Sequence, residues 1–205
     1  RLSSVQLRDA MTPAEFIARI KAFAATVPKG TWIQGGDWDH ELWGGELPTR
    51  AWIDSVTPDH PVWVNRLDGH MKLANSAALT AAGISAATKD VSGGTIIRLP
   101  NGEPAGVFKD NAMDLVDGKV PDPPAALEDR ALDTAMTYVA SHGVTSVHNV
   151  GSANAKTGSW NDLVVFKRAQ AAGRLRTRIY SAVPLSTWQQ LRDTVAAHGR
   201  GDAWL

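Results

Sequence analysis

Apolar positions near the start of the chain follow a helical spacing. Residues 12–15 read TPAE, the form of a capping box with proline at the first helical position. The apolar residues that follow recur every three or four positions, which places them on one face of a helix. They are Phe16, Ile17, Ile20, Phe23, Ala24 and Val27. Residues 121–143 show a second amphipathic pattern, which predicts a helix with Gly143 as its C-terminal cap.

Between Thr31 and Val120 the apolar runs are shorter and predict strands. These runs are TWIQG, PVWVNRL, GGTIIRL and AGVF. The dipeptide Asn101-Gly102 between the last two predicts a hairpin turn. Short helices are predicted for the segments PTRAWIDSV and MKLANSAALTAAG. This mixture predicts a compact α+β lobe over residues 31–120.

After Gly143 strands and helices alternate. GVTSVH predicts a buried strand, SWND at residues 159–162 predicts the start of a helix, residues 177–183 predict a second strand, and Ser186 opens a last helix. A β-α-β-α order implies parallel strands covered by helices. A closed (β/α)8 barrel typically needs about 250 residues, so this chain cannot close one alone. A small open doubly wound sheet is the alternative.

Composition excludes several classes of protein and site. Lysine plus arginine equals aspartate plus glutamate, 21 each, and no long basic run occurs, so nucleic acid and anionic membrane surfaces are not expected partners. With no cysteine among 205 residues, disulfides and thiolate metal sites are excluded. No apolar run approaches the roughly 18 residues of a membrane helix. The compartment is left open.

His148 is the first candidate for chemistry. It stands where the strand GVTSVH ends, and the carboxyl ends of parallel strands are where α/β proteins place their sites. It is therefore predicted to contact a metal or a substrate, unless it packs as a hydrogen-bonded histidine at the edge of the core. No His-x-His occurs in the sequence, so spacing alone does not assemble a complete metal site.

Three other segments place polar or aromatic side chains beside glycines or strand ends. The loop 35–45, GGDWDHELWGG, contains Trp38 and is typical of a ligand pocket or lid, unless its tryptophans pack on their own lobe. His70 follows a strand end and precedes a predicted helix, whose N-terminus could receive an anionic or carbonyl group. Lys109 and Asp110 lie between a strand and a helix, where Lys109 could reach a site and Asp110 could cap the helix.

The segments taken in order resemble one enzyme family. These segments are PTRAWIDSVTPDHPVWVNRLDGHMKLANSAAL, GGTIIRLPNGEPAGVFKDNAMDLV and GVTSVHNVG. They resemble the central part of a metal-dependent amidohydrolase of the third amidohydrolase family, the branch that includes N-substituted formamide deformylase. The resemblance implies an α/β fold, a partial (β/α)8 TIM barrel with an inserted α+β lobe. Residues 1–30 would be the first barrel helix region, residues 31–120 the insertion, and residues 121–205 barrel units two and three.

The same resemblance implies the chemistry of a longer parent protein. One or two divalent metals, zinc by expectation, would activate a water that hydrolyses a C–N bond of a small amide-like substrate. The family's His-x-His and its catalytic aspartate, the general base, match no position here. The chain is therefore expected to be an internal fragment, inert alone and without its own metal. His148 would face the metal centre or substrate, while Trp38, His70 and Lys109 would line the pocket.

Two further expectations complete the sequence-based picture. Barrel strands without their neighbours leave open edges that tend to pair, so a homo-oligomer is expected. The alternative to the enzyme is a non-enzymatic module that binds a small ligand through the tryptophan-rich loop 35–45.

Overall fold

The computed structural model describes residues 4–150 and 158–205, which form two compact units. The division falls between Asp122 and Pro123. Unit 1 is the part before this point and unit 2 is the part after it. The finer boundaries at residues 30 and 120, and their assignment to barrel and insertion, stay predictions.

Unit 1 is built on a six-stranded sheet. Its strands are β1 Val5–Gln6, β2 Ile33–Trp38, β3 Val62–Arg66, β4 Met71–Ala74, β5 Gly94–Arg98 and β6 Pro104–Asp110. They lie in the order β1-β2-β3-β4-β6-β5. The first three strands are parallel, and the remaining pairs are antiparallel. The predicted turn at Asn101-Gly102 is confirmed, since it joins β5 to β6 and Gly102 has φ 86°.

The sheet carries a hydrophobic cluster on each face. Val64, Leu73 and Val107 are register partners in one cluster, whereas their neighbours Trp63 and Phe108 belong to the other. Successive side chains of a strand point to opposite faces, so both faces of this sheet are buried. That burial explains why the strands read as continuous apolar runs rather than as alternating ones.

The helices of unit 1 cover these faces. They are α1 Pro13–Ala24, α2 Arg50–Ile53, α3 Ser76–Ala82 and α4 Asp114–Asp117. The predicted N-cap of α1 is confirmed, because Thr12 Oγ1 accepts the N–H of Glu15 at 3.1 Å. The Glu15 carboxylate reaches one residue further back than in a capping box and accepts the N–H of Met11 at 2.9 Å. Phe16 and Ile20 on its apolar face are fully buried.

The predicted helix MKLANSAALTAAG is wrong in its first half. Met71–Ala74 is strand β4, paired with β3 and β6, and the helix begins only at Ser76. Four residues are too few to show a helical or strand period. Pairing with two distant strands decides their conformation.

Unit 2 contains three helices and a two-stranded sheet. Its elements are α5 Ala125–Ser141, β7 Ser146–Asn149, α6 Gly158–Ala171, β8 Arg178–Ser181 and α7 Trp188–His198. The strands are parallel, as the β-α-β-α order predicts. The strand predicted in this segment is confirmed at Ser146–Asn149, but its predicted burial is wrong, because Thr145 and Ser146 are exposed and Val147 is half-buried.

The core of unit 2 lies between its sheet and the helices α5 and α6. Met136, Val165, Ala169 and Ile179 are buried there. Arg168 joins the two helices, because its Nε lies 2.9 Å from Asp129 Oδ1. Across the described residues of both units, we find no helix with the length and apolar character needed to cross a membrane.

Candidate functional site

Charged side chains gather at one end of the unit 1 sheet. The parallel strands β2 and β3 finish there, β4 starts there, and β6 ends there because it runs antiparallel to β4. Two aspartates at this end, Asp37 and Asp110, are the non-glycine residues with positive φ in the described part of the chain, at 56° and 49°. A positive φ is uncommon outside glycine, and the φ of 49° with ψ of −130° at Asp110 is strained for a residue with a Cβ.

Arg66 organises the first group of charges. Its guanidinium pairs with Asp68 and lies 3.2 Å from Asp39 Oδ1. Its Nε is 3.2 Å from His40 Nδ1. Because a guanidinium can only donate, His40 Nδ1 must accept, and the His40 proton lies on Nε2, 3.5 Å from Glu41 Oε1. Arg66 is thereby committed to ion pairs within the protein.

Asp68 fixes the turn that joins β3 to β4. Burial raises the pKa of its carboxyl group, but the hydrogen bond from the backbone N–H of His70 and the Arg66 guanidinium lower it by more. The net result is a pKa of Asp68 below its usual value. Asp68 is therefore charged at neutral pH and holds the N–H of His70 at 3.0 Å.

His70 lies on this exposed turn and pairs with Asp110 at the end of β6. Its Nδ1 is 2.9 Å from Asp110 Oδ1, and the backbone N–H of Asp110 donates to the His70 carbonyl at 3.0 Å. Both side chains are accessible, with 73% of His70 and 53% of Asp110 exposed. The prediction that Asp110 caps the next helix is wrong, because its side chain makes no capping hydrogen bond.

The prediction that a helix N-terminus follows His70 directly is also wrong. Strand β4 separates His70 from α3. The first N–H groups of α3 are already bonded, that of Ser76 to Asp54 at 2.7 Å and that of Ala78 to Asn75 at 2.9 Å. These two donors of the helix end are therefore already committed within the protein.

Lys109 reaches the same sheet end on the face of Val107. It stands opposite Met71 and Thr95 and is half-buried. Within residues 4–150 and 158–205 it forms no ion pair. Its role as a substrate contact stays a prediction.

The tryptophans of loop 35–45 pack on their own unit. Trp38 is 0% exposed, and its indole N–H donates to the Val64 carbonyl at 2.9 Å. Trp43 lies with its ring centroid 5.6 Å from that of Phe16 and donates to the Glu46 carbonyl. Trp38 thus has no accessible surface for a ligand, and its predicted substrate contact gains no support from this placement.

His148 lies in unit 2, at the carboxyl end of β7. Its register partner is Tyr180 on β8, and their ring centroids are 5.1 Å apart. Both side chains are exposed, whereas Val147 and Ile179 face the helices. His148 therefore does not pack in a core here, and its contact with metal or substrate stays a prediction.

A shallow hollow in unit 2 lies at the other end of its strands. It has a volume of about 240 Å³, and its lining includes Val144, Thr145, Arg178 and Trp204. Thr145 and Arg178 precede or begin the strands, so the hollow is at their amino ends, away from His148. Its position does not support a role in chemistry at the carboxyl ends.

No metal centre is assembled by the side chains that the structure describes. Those residues contain no group of three or more histidines, aspartates or glutamates placed to hold an ion. The pairs His70–Asp110 and His40–Glu41 each supply fewer ligands than the three protein ligands of a catalytic zinc site. The described residues therefore do not fit the metal centre that the resemblance implies.

Sequence reasoning missed two features of this region. The pairing of His70 with Asp110 joins residues 40 positions apart, and no local pattern announces it. Asn75 is buried and bonds to β3, α3 and the loop before β3, although the sequence NSAAL shows only a potential helix start. An Asn before Ser-Ala-Ala was the one available signal, and it indicates a cap rather than a buried connection.

Comparison with known proteins places the whole chain in one family. A family model described as "Amidohydrolase family" matches residues 1–204. Protein LONG AFTER FAR-RED 3 of Arabidopsis thaliana is 39% identical over 94% of this chain and 34% of its own length. Putative amidohydrolase YtcJ of Bacillus subtilis is 33% identical over 80% of this chain and 32% of its own. N-substituted formamide deformylase of Arthrobacter pascens is 28% identical over 78% and 30%.

Solved structures share the fold. An uncharacterized metal-dependent hydrolase from Pyrococcus horikoshii matches 94% of this chain and 35% of its own chain, with a TM-score of 0.63 and 19% identity. A second such hydrolase, from Pyrococcus furiosus, gives a TM-score of 0.61. The predicted partial α/β fold is confirmed, and the chain spans about a third of the length of these relatives. The chain belongs to the amidohydrolase family.

Proposed function

We propose that this chain forms part of a metal-dependent amidohydrolase that hydrolyses a C–N bond of a small amide-like substrate. The observation that carries the proposal is the family match over nearly the whole chain, residues 1–204. The shared fold with two metal-dependent hydrolases agrees with it. Because this chain spans about a third of its relatives, the activity is proposed for the whole protein and not for these residues alone.

The metal ligands and the general base are proposed to come from other parts of that protein. The described residues offer no group of three ligands, so no catalytic step is assigned to them. Zinc is the proposed metal. The side chains of this chain are proposed to shape and line the substrate side of the site, with His70, Lys109 and His148 as the candidates.

Exposed apolar surface in unit 2 supports the proposal that further strands cover its sheet. Nine of the twelve large apolar side chains that are exposed in the described residues lie in unit 2, although unit 1 is longer. They include Tyr180 on β8, 67% exposed, and Leu185, 86% exposed. We propose that β7 and β8 are the second and third strands of a (β/α)8 barrel, whose interior face bears His148 and Tyr180.

The same surface leads us to expect self-association of the 205-residue chain. An uncovered sheet face and open strand edges favour pairing with a second copy. Sedimentation velocity over a range of concentrations measures this. A monomer at every concentration would contradict the expectation.

The test of the proposed function compares the whole protein with this chain. Each is stripped with a chelator, reloaded with zinc and assayed for release of amine from an N-substituted formamide and from simple amides. The whole protein is expected to require the metal, and the 205-residue chain is expected to be inert. A whole protein without metal-dependent amide hydrolysis would overturn the proposal.

Metal content of the chain tests the origin of the ligands. Mass spectrometry after equilibration with zinc is expected to find no stoichiometric ion in the wild type. The variant His148→Ala should then equal the control His142→Ala, which removes another exposed histidine of unit 2. One tightly held zinc per chain that is lost only in His148→Ala would make His148 a ligand and contradict the assignment of the ligands to other parts.

A further inference from the structure

The backbone conformation of Asp110 is strained, and its side chain does not stabilise the helix that follows. Its φ of 49° and ψ of −130° lie in a region that side chains with a Cβ disfavour. A strained residue costs stability and persists only where the surrounding structure imposes it. The Asp110 carboxylate does not cap the following turn, and its described partner is His70.

The neighbouring segments impose this conformation on Asp110. Gly94 is its register partner on β5, and a Cβ at Gly94 would lie 2.1 Å from the backbone nitrogen of Ala112. Only glycine therefore permits the chain after β6 to fold so closely onto β5. The side chain of Asn111 then ties this bend to Ser92, donating to its carbonyl at 3.0 Å.

The pairing determines which nitrogen of His70 carries the proton. An ionised carboxylate can only accept, so His70 Nδ1 must donate across the 2.9 Å contact. In the neutral imidazole the lone pair then lies on Nε2, on the other edge of the ring. The ring is 73% exposed, and Nε2 has no partner among the described residues. Arg66 at the same sheet end is committed to ion pairs, whereas His70 keeps an acceptor for a ligand.

We propose that His70 and Asp110 form a binding dyad for the N–H of an amide-like ligand. Asp110 is the positioning residue that fixes the tautomer of His70, and His70 Nε2 accepts the hydrogen bond from the ligand. The class of ligand rests on the proposed function. The dyad itself rests on the contact between the two residues and on the strain at Asp110.

The first experiment measures the tautomer of His70 by 15N–1H correlation NMR on the labelled chain. The variant His70→Gln identifies the signal by its loss. At a pH where the ring is neutral, we expect Nδ1 to be protonated in the wild type. In Asp110→Gly the proton should redistribute toward Nε2. A wild-type His70 with its proton on Nε2, or an unchanged tautomer in the variant, overturns the dyad.

Asp37→Gly is the matched control. It removes the other aspartate with positive φ at this end of the sheet, which contacts Asn65. This variant should leave the tautomer of His70 unchanged. The thermal midpoint of Asp110→Gly should equal or exceed that of the wild type, because glycine accepts this backbone conformation. A midpoint lowered well below that of Asp37→Gly would mean that Asp110 stabilises the fold, and would overturn its positioning role.

Two amide probes test the ligand. N-methylacetamide has an N–H, and N,N-dimethylacetamide lacks it but is otherwise similar. At millimolar concentration the first should shift the Nε2 signal of His70 saturably, and the second should not. In Asp110→Gly the affinity for the first should fall severalfold, because a smaller fraction of the His70 rings keeps the Nε2 lone pair that accepts the ligand N–H. Equal responses to both probes, or none, overturn the assignment of an amide N–H.

These measurements separate the dyad from the proposed function. They need neither metal nor turnover, so a whole protein that fails to hydrolyse amides would overturn the enzymatic proposal and leave the tautomer result standing. Conversely, an active hydrolase whose His70 shows the other tautomer would keep its function and lose the dyad.

Discussion

Replacing Asn75 by alanine is expected to destabilise unit 1 far more than an ordinary loss of a helix cap. The Asn75 side chain is 1% exposed and makes four short hydrogen bonds. Its Oδ1 accepts the N–H groups of Val62 and Ala78, each at 2.9 Å. Its Nδ2 donates to Thr57 Oγ1 at 2.9 Å and to the His60 carbonyl at 2.8 Å. One side chain thus joins β3, α3 and the loop between α2 and β3.

The size of the effect follows from the buried groups that lose their partner. Each buried donor left unsatisfied costs about 1–3 kcal/mol. In Asn75→Ala two buried N–H groups and two buried acceptors lose their partner. Because the surrounding structure relaxes in part, these penalties do not add in full, and we expect the free energy of unfolding to fall by ~3 kcal/mol. Thr12→Ala is the matched control, because it removes an exposed N-cap with a single bond to Glu15 and should cost about 1 kcal/mol.

Urea unfolding measures both variants, with hydrogen exchange of residues 62–82 to locate the change in unit 1. With a slope of about 1–3 kcal/mol per molar urea, a loss of ~3 kcal/mol lowers the midpoint by at least about 1 M. Asn75→Ala should also accelerate exchange at Val62 and Ala78. If Asn75→Ala costs no more than Thr12→Ala, the argument that the buried network holds these elements together is refuted.

Two further predictions concern the turn before β4 and the bend after β6. The pKa of Asp68 is lowered in the folded state, so its contribution to stability is present above the unfolded value of about 4 and is lost as pH falls through the folded value. Acid titration of unfolding should therefore show a smaller loss of stability for Asp68→Asn than for the wild type, and parallel curves would contradict this. Gly94→Ala should destabilise by more than ~2 kcal/mol, because the new Cβ meets the backbone of Ala112 at 2.1 Å. Gly118→Ala, whose new Cβ would lie 3.6 Å from the Asp114 carbonyl oxygen, should change stability by less than about 1 kcal/mol. Equal losses for the two variants in thermal unfolding would refute the steric argument.

Two local signals in the sequence predicted local structure correctly. The N-cap at Thr12 and the turn at Asn101-Gly102 depend on neighbouring residues, so their chemistry is fully present in a short segment. The strand Met71–Ala74 depends on β3 and β6, which lie outside its own segment, and was predicted as helix. The alternation of strands and helices after Gly143 predicted that β7 and β8 are parallel, because parallel neighbouring strands need a crossover connection and a helix usually provides it.

The candidate site shows the same division. The sequence identified His70, Lys109 and Asp110 as polar residues at strand ends, and the structure brings them to one end of the sheet. It could not pair His70 with Asp110, since the contact requires the antiparallel register of β4 and β6. For Trp38 the sequence left a ligand contact and packing on its own lobe as alternatives, and the sheet buries the side chain completely.

By itself the sequence determined the N-cap of the first helix, the hairpin turn, the β-α order after Gly143 and, through its resemblance, the family. Each of these depends on residues that are close along the chain, or on motifs whose order along the chain is typical of the family. The tertiary structure alone decided which strands β4 pairs with, which tryptophans are buried and that His70 lies beside Asp110. Those properties arise from strand register and close packing between distant segments, and the energy that selects them exists only when the segments meet.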